Sequence, residues 1–191
     1  ARLRSNSRKM PPLRAKLLST ALTLISACNL LCAQSDICES IKEDGSLKVK
    51  SGQWERIDEL CDCAGLIELN LRKSRAVKLP DCFENLADLR GLDLTKSALA
   101  TFPPVVAKMY GLRHLSIAHT DIHFLPDEVA DLIELKTLDL RGTKIEALPD
   151  GLDFLEKIDM RLIMMSKLEQ DEIRVRFPET EIYFSSPCHC H

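Results

Sequence analysis

A pattern of apolar residues recurs every 23 positions along this chain. Residues 135–149 read LKTLDLRGTKIEALP, residues 112–126 read LRHLSIAHTDIHFLP, and residues 89–103 read LRGLDLTKSALATFP. A fourth copy, LIELNLRKSRAVKLP, begins at Leu66. The copies share their apolar positions and differ in their polar ones. Because self-similarity at a fixed period of about 20–50 residues indicates stacked structural repeats, this period restricts the fold more than any single segment does.

Each copy contains apolar residues spaced three and then two positions apart, as in Leu135, Leu138 and Leu140. This spacing predicts a short strand whose alternate side chains point into a core. One 23-residue unit, which we call a coil, cannot bury its own leucines. The coils must therefore stack, and their strands must form a parallel sheet.

The four copies resemble the leucine-rich repeats of the class that carries Leu-Pro on the return of each coil, and the resemblance covers roughly residues 44–184. It implies an α/β leucine-rich repeat solenoid, which is a right-handed superhelix. Short parallel strands would line its concave side, extended or short helical turns its convex side, and helical caps its two ends.

A polar residue follows each strand, at the position where leucine-rich repeats usually place asparagine. In this chain the position holds a hydroxyl in every coil: Ser74, Ser97, Thr120 and Thr143. We expect these hydroxyls to bond neighbouring backbone inside the bend. The apolar residues that come next are expected to point back into the core: Ala76, Leu99, Ile122 and Ile145.

The return of each coil begins with a proline, and these prolines are Pro80, Pro103, Pro126 and Pro149. Proline cannot pair within a strand and favours an extended segment or the first turn of a helix. Apolar pairs three residues apart follow, and they predict one helical turn per coil. The pairs are Phe83 with Leu86, Val106 with Met109, Val129 with Leu132, and Leu152 with Leu155.

The ends of the solenoid need caps, because a terminal coil would otherwise expose its leucines. We assign residues 34–65 to an N-terminal cap, with a first strand at Leu47 and Val49 and a helix that carries Trp54, Ile57 and Leu60. The repeats are assigned to residues 66–160.

Residues 161–191 are assigned to a C-terminal cap and tail, because the period breaks after Leu155. The next strand contains either Ile158 and Met160 or Ile163. Ser166 and Glu169 have the spacing of a capping box, which predicts a helix over KLEQDEIRVRF. The segment TEIYFS is then expected to be the last strand.

Charge is distributed unevenly along the chain. Six of the 26 Lys and Arg residues lie within residues 1–33, which contain no acid, so the remaining 20 bases face 29 acids and give a net charge of −9. A surface of that sign repels phosphate backbones, which argues against nucleic-acid binding.

The basic start leads into the apolar stretch LLSTALTLISACNLLCAQ, which resembles the core of a signal peptide. Met10 is a candidate start, so residues 1–9 need not belong to the natural protein. Cleavage after Ala33 would release the rest of the chain. The run from Ile25 to Cys28 instead resembles a lipobox, whose cysteine is lipidated and anchors the protein to a bacterial membrane. A retained apolar helix is the third alternative.

Six cysteines follow this stretch, and an even number in an exported chain indicates disulfide bonds. Consecutive strands lie about 4.8 Å apart, which favours a bridge between Cys61 and Cys82, followed by one between Cys38 and Cys63. A Cys38–Cys61 pair and four free thiols are the alternatives.

The C-terminal residues Cys188, His189, Cys190 and His191 have metal-ligand chemistry. Closed zinc sites draw ligand pairs two to four residues apart from two separate elements, and this tail lacks that spacing. A local or intermolecular disulfide and a frayed tail are the alternatives to metal binding, and we assign no metal and no cofactor.

Side chains that alternate with the core leucines are expected to line the concave sheet, and the resemblance to leucine-rich repeats implies that they form a ligand-binding surface. They are Glu68, Asn70, Arg72, Asp93, Thr95, His114, Ser116, His119, Thr137, Asp139 and Arg141. Asp93, Ser116 and Asp139 fall into one column with His114 nearby. A catalytic triad needs a base bonded to its nucleophile, an orienting acid and an oxyanion hole, so we predict no enzyme.

The sequence therefore predicts an exported, bacterial, non-enzymatic recognition protein at or outside the cell surface. A protein partner is favoured over a polysaccharide, because sugars commonly stack on rings and aromatic residues are only 5% of the chain. Membrane contact is expected only through a lipid at Cys28. The alternative is a structural spacer without a dedicated ligand.

Overall fold

The computed structural model describes residues 36–75 and 77–187. Its described residues contain one sheet of seven parallel strands that lie side by side in chain order. The strands are β1 (Ser46–Lys48), β2 (Glu68–Asn70), β3 (Gly91–Asp93), β4 (His114–Ser116), β5 (Thr137–Asp139), β6 (Lys157–Met160) and β7 (Glu181–Phe184).

The middle residue of each repeat strand lies in register with its equivalents in the neighbouring coils. Leu69 pairs with Leu92, Leu92 with Leu115, and Leu115 with Leu138. All four are at most 2% exposed. This column confirms the predicted stack of coils and places the core directly behind the sheet.

Short 3-10 helices form the returns of the first three coils, at Asp81–Asn85, Val106–Lys108 and Asp127–Asp131. Pro80 and Pro126 immediately precede two of them and accept the first hydrogen bond of the turn. Proline fixes φ and lacks an N–H, so it starts such a turn without losing a bond.

The fourth return is shorter than the other three. Leu152 and Leu155 are both buried, but the segment between them is a single turn closed by one hydrogen bond from Leu155 N to Leu152 O at 3.1 Å. The predicted turn is therefore present, but it does not extend into a 3-10 helix, because the next strand begins only 20 residues after β5 and leaves a shorter return.

Both ends of the described sheet are covered. At the N-terminal end lie two 3-10 segments, Cys38–Ser40 and Ser51–Asp62, and the longer one leaves helical geometry at Arg56. At the other end the strand contains Ile158 and Met160 rather than Ile163. The α-helix α1 (Lys167–Arg176) follows a capping box between Ser166 and Glu169, as predicted, and β7 pairs with β6.

The hydroxyls at the bends behave differently according to residue type. Thr120 Oγ1 and Thr143 Oγ1 each donate to the carbonyl three residues earlier at 2.7 Å. Within the described residues, Ser74 Oγ and Ser97 Oγ are buried and have no hydrogen-bond partner. The second Cβ substituent of threonine restricts χ1, which holds its hydroxyl against the carbonyl. The predicted backbone bond is therefore confirmed for threonine and wrong for serine.

The core residues that follow the bend are Leu99, Ile122 and Ile145, each at most 2% exposed, while Ala76 lies outside the described residues.

Within residues 36–75 and 77–187, none of the helices has the length and apolar character needed to cross a membrane.

We expect Thr120→Ala to lower the free energy of unfolding by about 1–3 kcal/mol, because it removes a buried hydrogen bond and leaves a carbonyl less satisfied. Ser97→Ala should change it little, because its hydroxyl is buried without a partner. Urea denaturation of both variants measures the difference. Equal losses would contradict the assignment of these two hydroxyls.

Candidate functional site

The sheet presents one face to the core and the other, which we call the inner face, away from it. Strand register places the third residue of each strand in one column on the inner face. We call the run from β2 to β7 the polar ladder: Asn70, Asp93, Ser116, Asp139, Asp159 and Tyr183. Alternation along each strand keeps these side chains away from the leucine column.

The first half of the polar ladder is joined by hydrogen bonds across the strands. Asn70 Nδ2 donates to Asp93 Oδ2 at 3.3 Å, and Arg72 Nη1 lies 3.6 Å from the same oxygen. Thr95 Oγ1 lies 2.9 Å from Ser116 Oγ. Each contact links one coil to the next, so the inner face forms a connected polar surface.

The second half contains two bidentate acid–arginine pairs. Arg141 donates through Nε and Nη2 to Asp139 at 2.9 and 2.7 Å, and Arg161 donates in the same way to Asp159 at 2.9 and 2.6 Å. Ser116 Oγ donates to Asp139 Oδ2 at 3.2 Å. Arg141 Nε also lies 3.5 Å from Asp159 Oδ2, which couples the two pairs.

The ladder acids also terminate their strands. Asp93, Asp139 and Asp159 each accept a hydrogen bond from the backbone N–H two residues later, at 2.9, 3.1 and 3.2 Å. Asn70 does the same toward Arg72 N at 3.2 Å. This is an Asx turn, in which the side chain imitates a backbone turn. These residues therefore have a structural task in addition to any binding task.

Asp159 is the most deeply placed acid of the ladder, with a side chain only 10% exposed. Burial alone would raise its pKa, but hydrogen bonds from the Arg161 side chain and backbone, together with the charges of Arg161 and Arg141, lower the pKa below its ordinary value. The bond to Asp159 likewise raises the pKa of Arg161, and the bond to Asp139 raises that of Arg141.

The histidines predicted near this column do not form a triad. His114 Nδ1 lies 2.9 Å from Thr137 Oγ1, and the Ser116 hydroxyl donates to Asp139 instead of to an imidazole. His119 sits at the bend with a left-handed φ of 55°, at the edge of the sheet. The arrangement in the described residues therefore lacks the base-to-nucleophile bond that serine hydrolysis requires.

Glu68 faces the inner side at the N-terminal ends of the strands, where its carboxylate lies over Gly91. A Cβ built on Gly91 would come 1.7 Å from Glu68 Oε2, so glycine leaves the room that this side chain occupies. Thr137 lies in the same row three strands further along, where it pairs with His114.

The inner-face residues that were not predicted include Lys157, Asp159, Arg161 and Tyr183. Lys157 Nζ lies 4.4 Å from the centre of the Tyr183 ring and the Arg161 guanidinium 5.6 Å from it. The segment LEKIDMR, beginning at Leu155, repeats the pattern of LKTLDLR, beginning at Leu135. That likeness could have identified Asp159 and Arg161, but the spacing of 20 residues concealed it.

Two disulfide bonds tie the N-terminal end of the fold together. Cys38 is bonded to Cys63, and Cys61 to Cys82. These are the two pairings that the sequence favours, and the Cys38–Cys61 alternative is absent from the described residues. Disulfides persist in oxidising environments.

The metal-ligand candidates Cys188, His189, Cys190 and His191 lie outside the described residues. Across residues 36–75 and 77–187, no group of three or more His, Cys, Asp or Glu side chains is placed to hold a metal ion.

Comparison with solved structures finds similarity to three proteins, one of them with a TM-score above 0.5. A leucine-rich repeat protein of Leptospira interrogans has a TM-score of 0.55 and 22% identity, and the match covers 66% of this chain and 39% of that one. An internalin of Listeria monocytogenes has a TM-score of 0.43 and 14% identity, with 68% and 46% covered. A plant peptide hormone receptor has a TM-score of 0.43 and 15% identity, with 75% and 27% covered.

The chain spans less than half the length of these structures. No protein-family model and no curated protein matches the sequence. The sheet, its register and the Leptospira structure together define a leucine-rich repeat solenoid. The chain therefore has the leucine-rich repeat fold.

We expect Asp159→Asn to lower the free energy of unfolding by about 1–3 kcal/mol at pH 7, because it removes charge-assisted hydrogen bonds from a nearly buried group. The pKa of Asp159 is lowered in the folded state. Its stabilisation is therefore complete above the unfolded pKa of about 3.9 and is lost as pH falls through the folded value.

Urea denaturation between pH 7 and pH 3 checks this expectation. The difference between Asp159→Asn and the parent protein should shrink as pH falls below about 4. Asp171→Asn is the control, because Asp171 pairs with Lys167 on the exposed side of α1. A loss of unfolding free energy that does not depend on pH, or that is as large in Asp171→Asn, would contradict the role assigned to Asp159.

Proposed function

We propose that this chain is a non-enzymatic protein-binding scaffold whose inner face contacts the ligand. The observation that carries the proposal is the unequal exposure of the two charge signs on that face. The side chains of Arg72, Arg141 and Arg161 are 40–49% exposed, while those of Asp93, Asp139 and Asp159 are 10–26% exposed. Among these six charged side chains the accessible ones are therefore cationic, although the body of the chain is acidic.

The arginines remain able to bind a partner while they hold their acids. Arg141 and Arg161 each use two N–H groups, on Nε and Nη2, in the bidentate bonds. A guanidinium has five N–H donors, so three of them are directed elsewhere. Because guanidinium groups match the geometry of carboxylates, an acidic segment of a protein is the partner that fits this face.

The composition of the inner face favours a protein over a polysaccharide. Tyr183 is the one aromatic member of the polar ladder, so the ladder offers a sugar a single ring for stacking. Nucleic acid is disfavoured by the net charge of −9 over residues 34–191. Charge complementarity at such a face would set specificity and the association rate more than affinity.

We place the protein at the surface of a bacterial cell or outside it. The two disulfides support an oxidising location. The signal-like stretch lies outside the described residues. Its alternative processing sites are after Ala33 and before Cys28. Lipidation of Cys28 would make the protein membrane-anchored, and cleavage after Ala33 would release it.

The alternative is a spacer or assembly module without a dedicated ligand on the inner face. The Asx turns favour this alternative, because they explain why the ladder acids are present without requiring a binding partner. The exposed arginines are the feature that a spacer does not require. A test must therefore remove charge and keep the turns.

We expect the combined variant Arg72→Gln, Asp93→Asn, Asp139→Asn and Arg141→Gln to lose partner capture in a pull-down from envelope and medium fractions. Asparagine also forms Asx turns, and two charges of each sign are removed, so net charge and turn geometry are preserved. Quantitative mass spectrometry of the captured proteins is the measurement, and the loss should exceed about tenfold for a specific partner.

The matched control carries Lys78→Gln, Asp81→Asn, Asp121→Asn and Lys144→Gln, which neutralises two exposed ion pairs outside the sheet. It should capture the same proteins as the parent. If the inner-face variant does so as well, the spacer alternative replaces the recognition function.

Metabolic labelling with a radioactive fatty acid distinguishes lipid anchoring at Cys28 from cleavage after Ala33. If Cys28 is lipidated, the parent protein carries the label and Cys28→Ser does not, while Cys32→Ser retains it. An unlabelled parent protein that appears in the medium would establish release instead of anchoring.

A further inference from the structure

A second candidate surface lies on the side of the coils opposite the sheet. Residues of the second and third coils, within 100–110 and 123–131, line an open groove of about 740 Å³. The volume falls within the range of about 300–1,000 Å³ typical of ligand pockets. None of these residues belongs to the inner face, so the groove is independent of the function proposed above.

The groove exists because small and large side chains alternate between neighbouring coils. Ala100 and Thr101 are small, and Phe124 of the next coil stands above them with 67% of its surface exposed. Tyr110, which is 61% exposed, and Phe102, which is buried, also line the groove. Three of the chain's nine aromatic residues therefore line one groove.

The repeat shows that the fold does not require these two exposed rings. The position of Phe124 is occupied by Lys78, Thr101 and Ala147 in the other coils, and that of Tyr110 by Ala87 and Ile133. Exposed Tyr and Trp are enriched among residues that dominate binding energies. The rings are therefore best explained by something that binds them.

The rim of the groove is acidic. Glu128 and Asp131 lie on it, while the one lysine of the lining, Lys108, is paired with Glu84 at 2.9 Å. Counting that pair as neutral leaves two negative charges beside the aromatic rings. A ligand that complements both features has apolar and cationic groups next to each other.

We propose that this groove binds a polypeptide segment in which an apolar side chain lies beside lysine or arginine. The groove is open, because nine of its twelve lining residues are exposed. It cannot enclose the 70–90% of a small molecule that ligand pockets typically bury. An extended chain that inserts one or two side chains and stays partly in water fits this shape.

Fluorescence anisotropy with short labelled peptides tests the proposal on the full chain. A peptide of alternating Phe and Arg should bind at least about tenfold more tightly than one of alternating Phe and Glu, and than one of alternating Ser and Arg. Phe124→Ser should weaken binding of the Phe/Arg peptide by at least about tenfold. Equal binding of the three peptides, or no binding of the Phe/Arg peptide, overturns the proposal.

Matched controls separate the groove from general effects. Ile133 occupies the coil position equivalent to Tyr110, is 71% exposed and does not line the groove. Ile133→Ser therefore removes an exposed apolar side chain and should leave peptide binding unchanged. Glu128→Gln with Asp131→Asn should weaken the Phe/Arg peptide and flatten its salt dependence, whereas Glu172→Gln with Glu179→Gln should do neither. Equal effects of a variant and its control overturn the proposal.

Photocrosslinking from p-benzoylphenylalanine at position 101 identifies the occupant. A crosslink to the added Phe/Arg peptide supports the proposal. A crosslink instead to residues 1–35 of the same chain, or to a second copy, overturns it in favour of an internal segment or a homotypic interface. The combined inner-face variant should bind the Phe/Arg peptide like the parent protein, so the proposals for the two surfaces can be refuted independently.

Discussion

The in-register stacking of leucines along the sheet is the interaction on which every other feature depends. Leu69, Leu92, Leu115 and Leu138 occupy one column, each nearly inaccessible to water. Full burial of one such side chain contributes about 1.5–3 kcal/mol, but a single coil cannot achieve it alone. The end coils therefore need covers of a different kind. The C-terminal end has α1 and β7, and the N-terminal end, with its irregular 3-10 segments, has two disulfides.

This stacking also decides what the polar residues at the strand ends can do. The carboxylates of Asp93, Asp139 and Asp159 close Asx turns, and those of Asp139 and Asp159 also hold the arginines two residues later. The carboxylates are thereby drawn inward and the guanidinium groups are held outward in a fixed orientation. An arginine that is already ordered loses less side-chain entropy when it binds. A structural motif of the bend thus holds two ordered arginines on the inner face.

Sequence reasoning succeeded where the 23-residue period holds, because there the identity of each apolar position is fixed by the coil before and after it. Strands β2 to β5, the returns and the inner-face column of Asp93, Ser116 and Asp139 follow directly from alignment of the copies. It was less successful where the spacing changes to 20 residues, since Asp159 and Arg161 could be aligned only by pattern and not by period. The difference between serine and threonine hydroxyls was also missed, because it depends on side-chain rotamers that the repeat pattern does not encode.

The two surfaces proposed for this chain lie on opposite sides of the same coils. Strand β4, with Ser116, and the groove residue Phe124 belong to one coil, but the buried side chains of Leu115, Ile117 and Ile122 separate them. Close-packed layers of this kind resist small displacements, and each coil of a solenoid contacts only its neighbours. Coupling between the surfaces would require the leucine column itself to shift register, at the cost of burial in several coils at once. A solenoid of this kind can therefore hold an acidic segment on one side and a basic, apolar segment on the other without either ligand altering the affinity for the second.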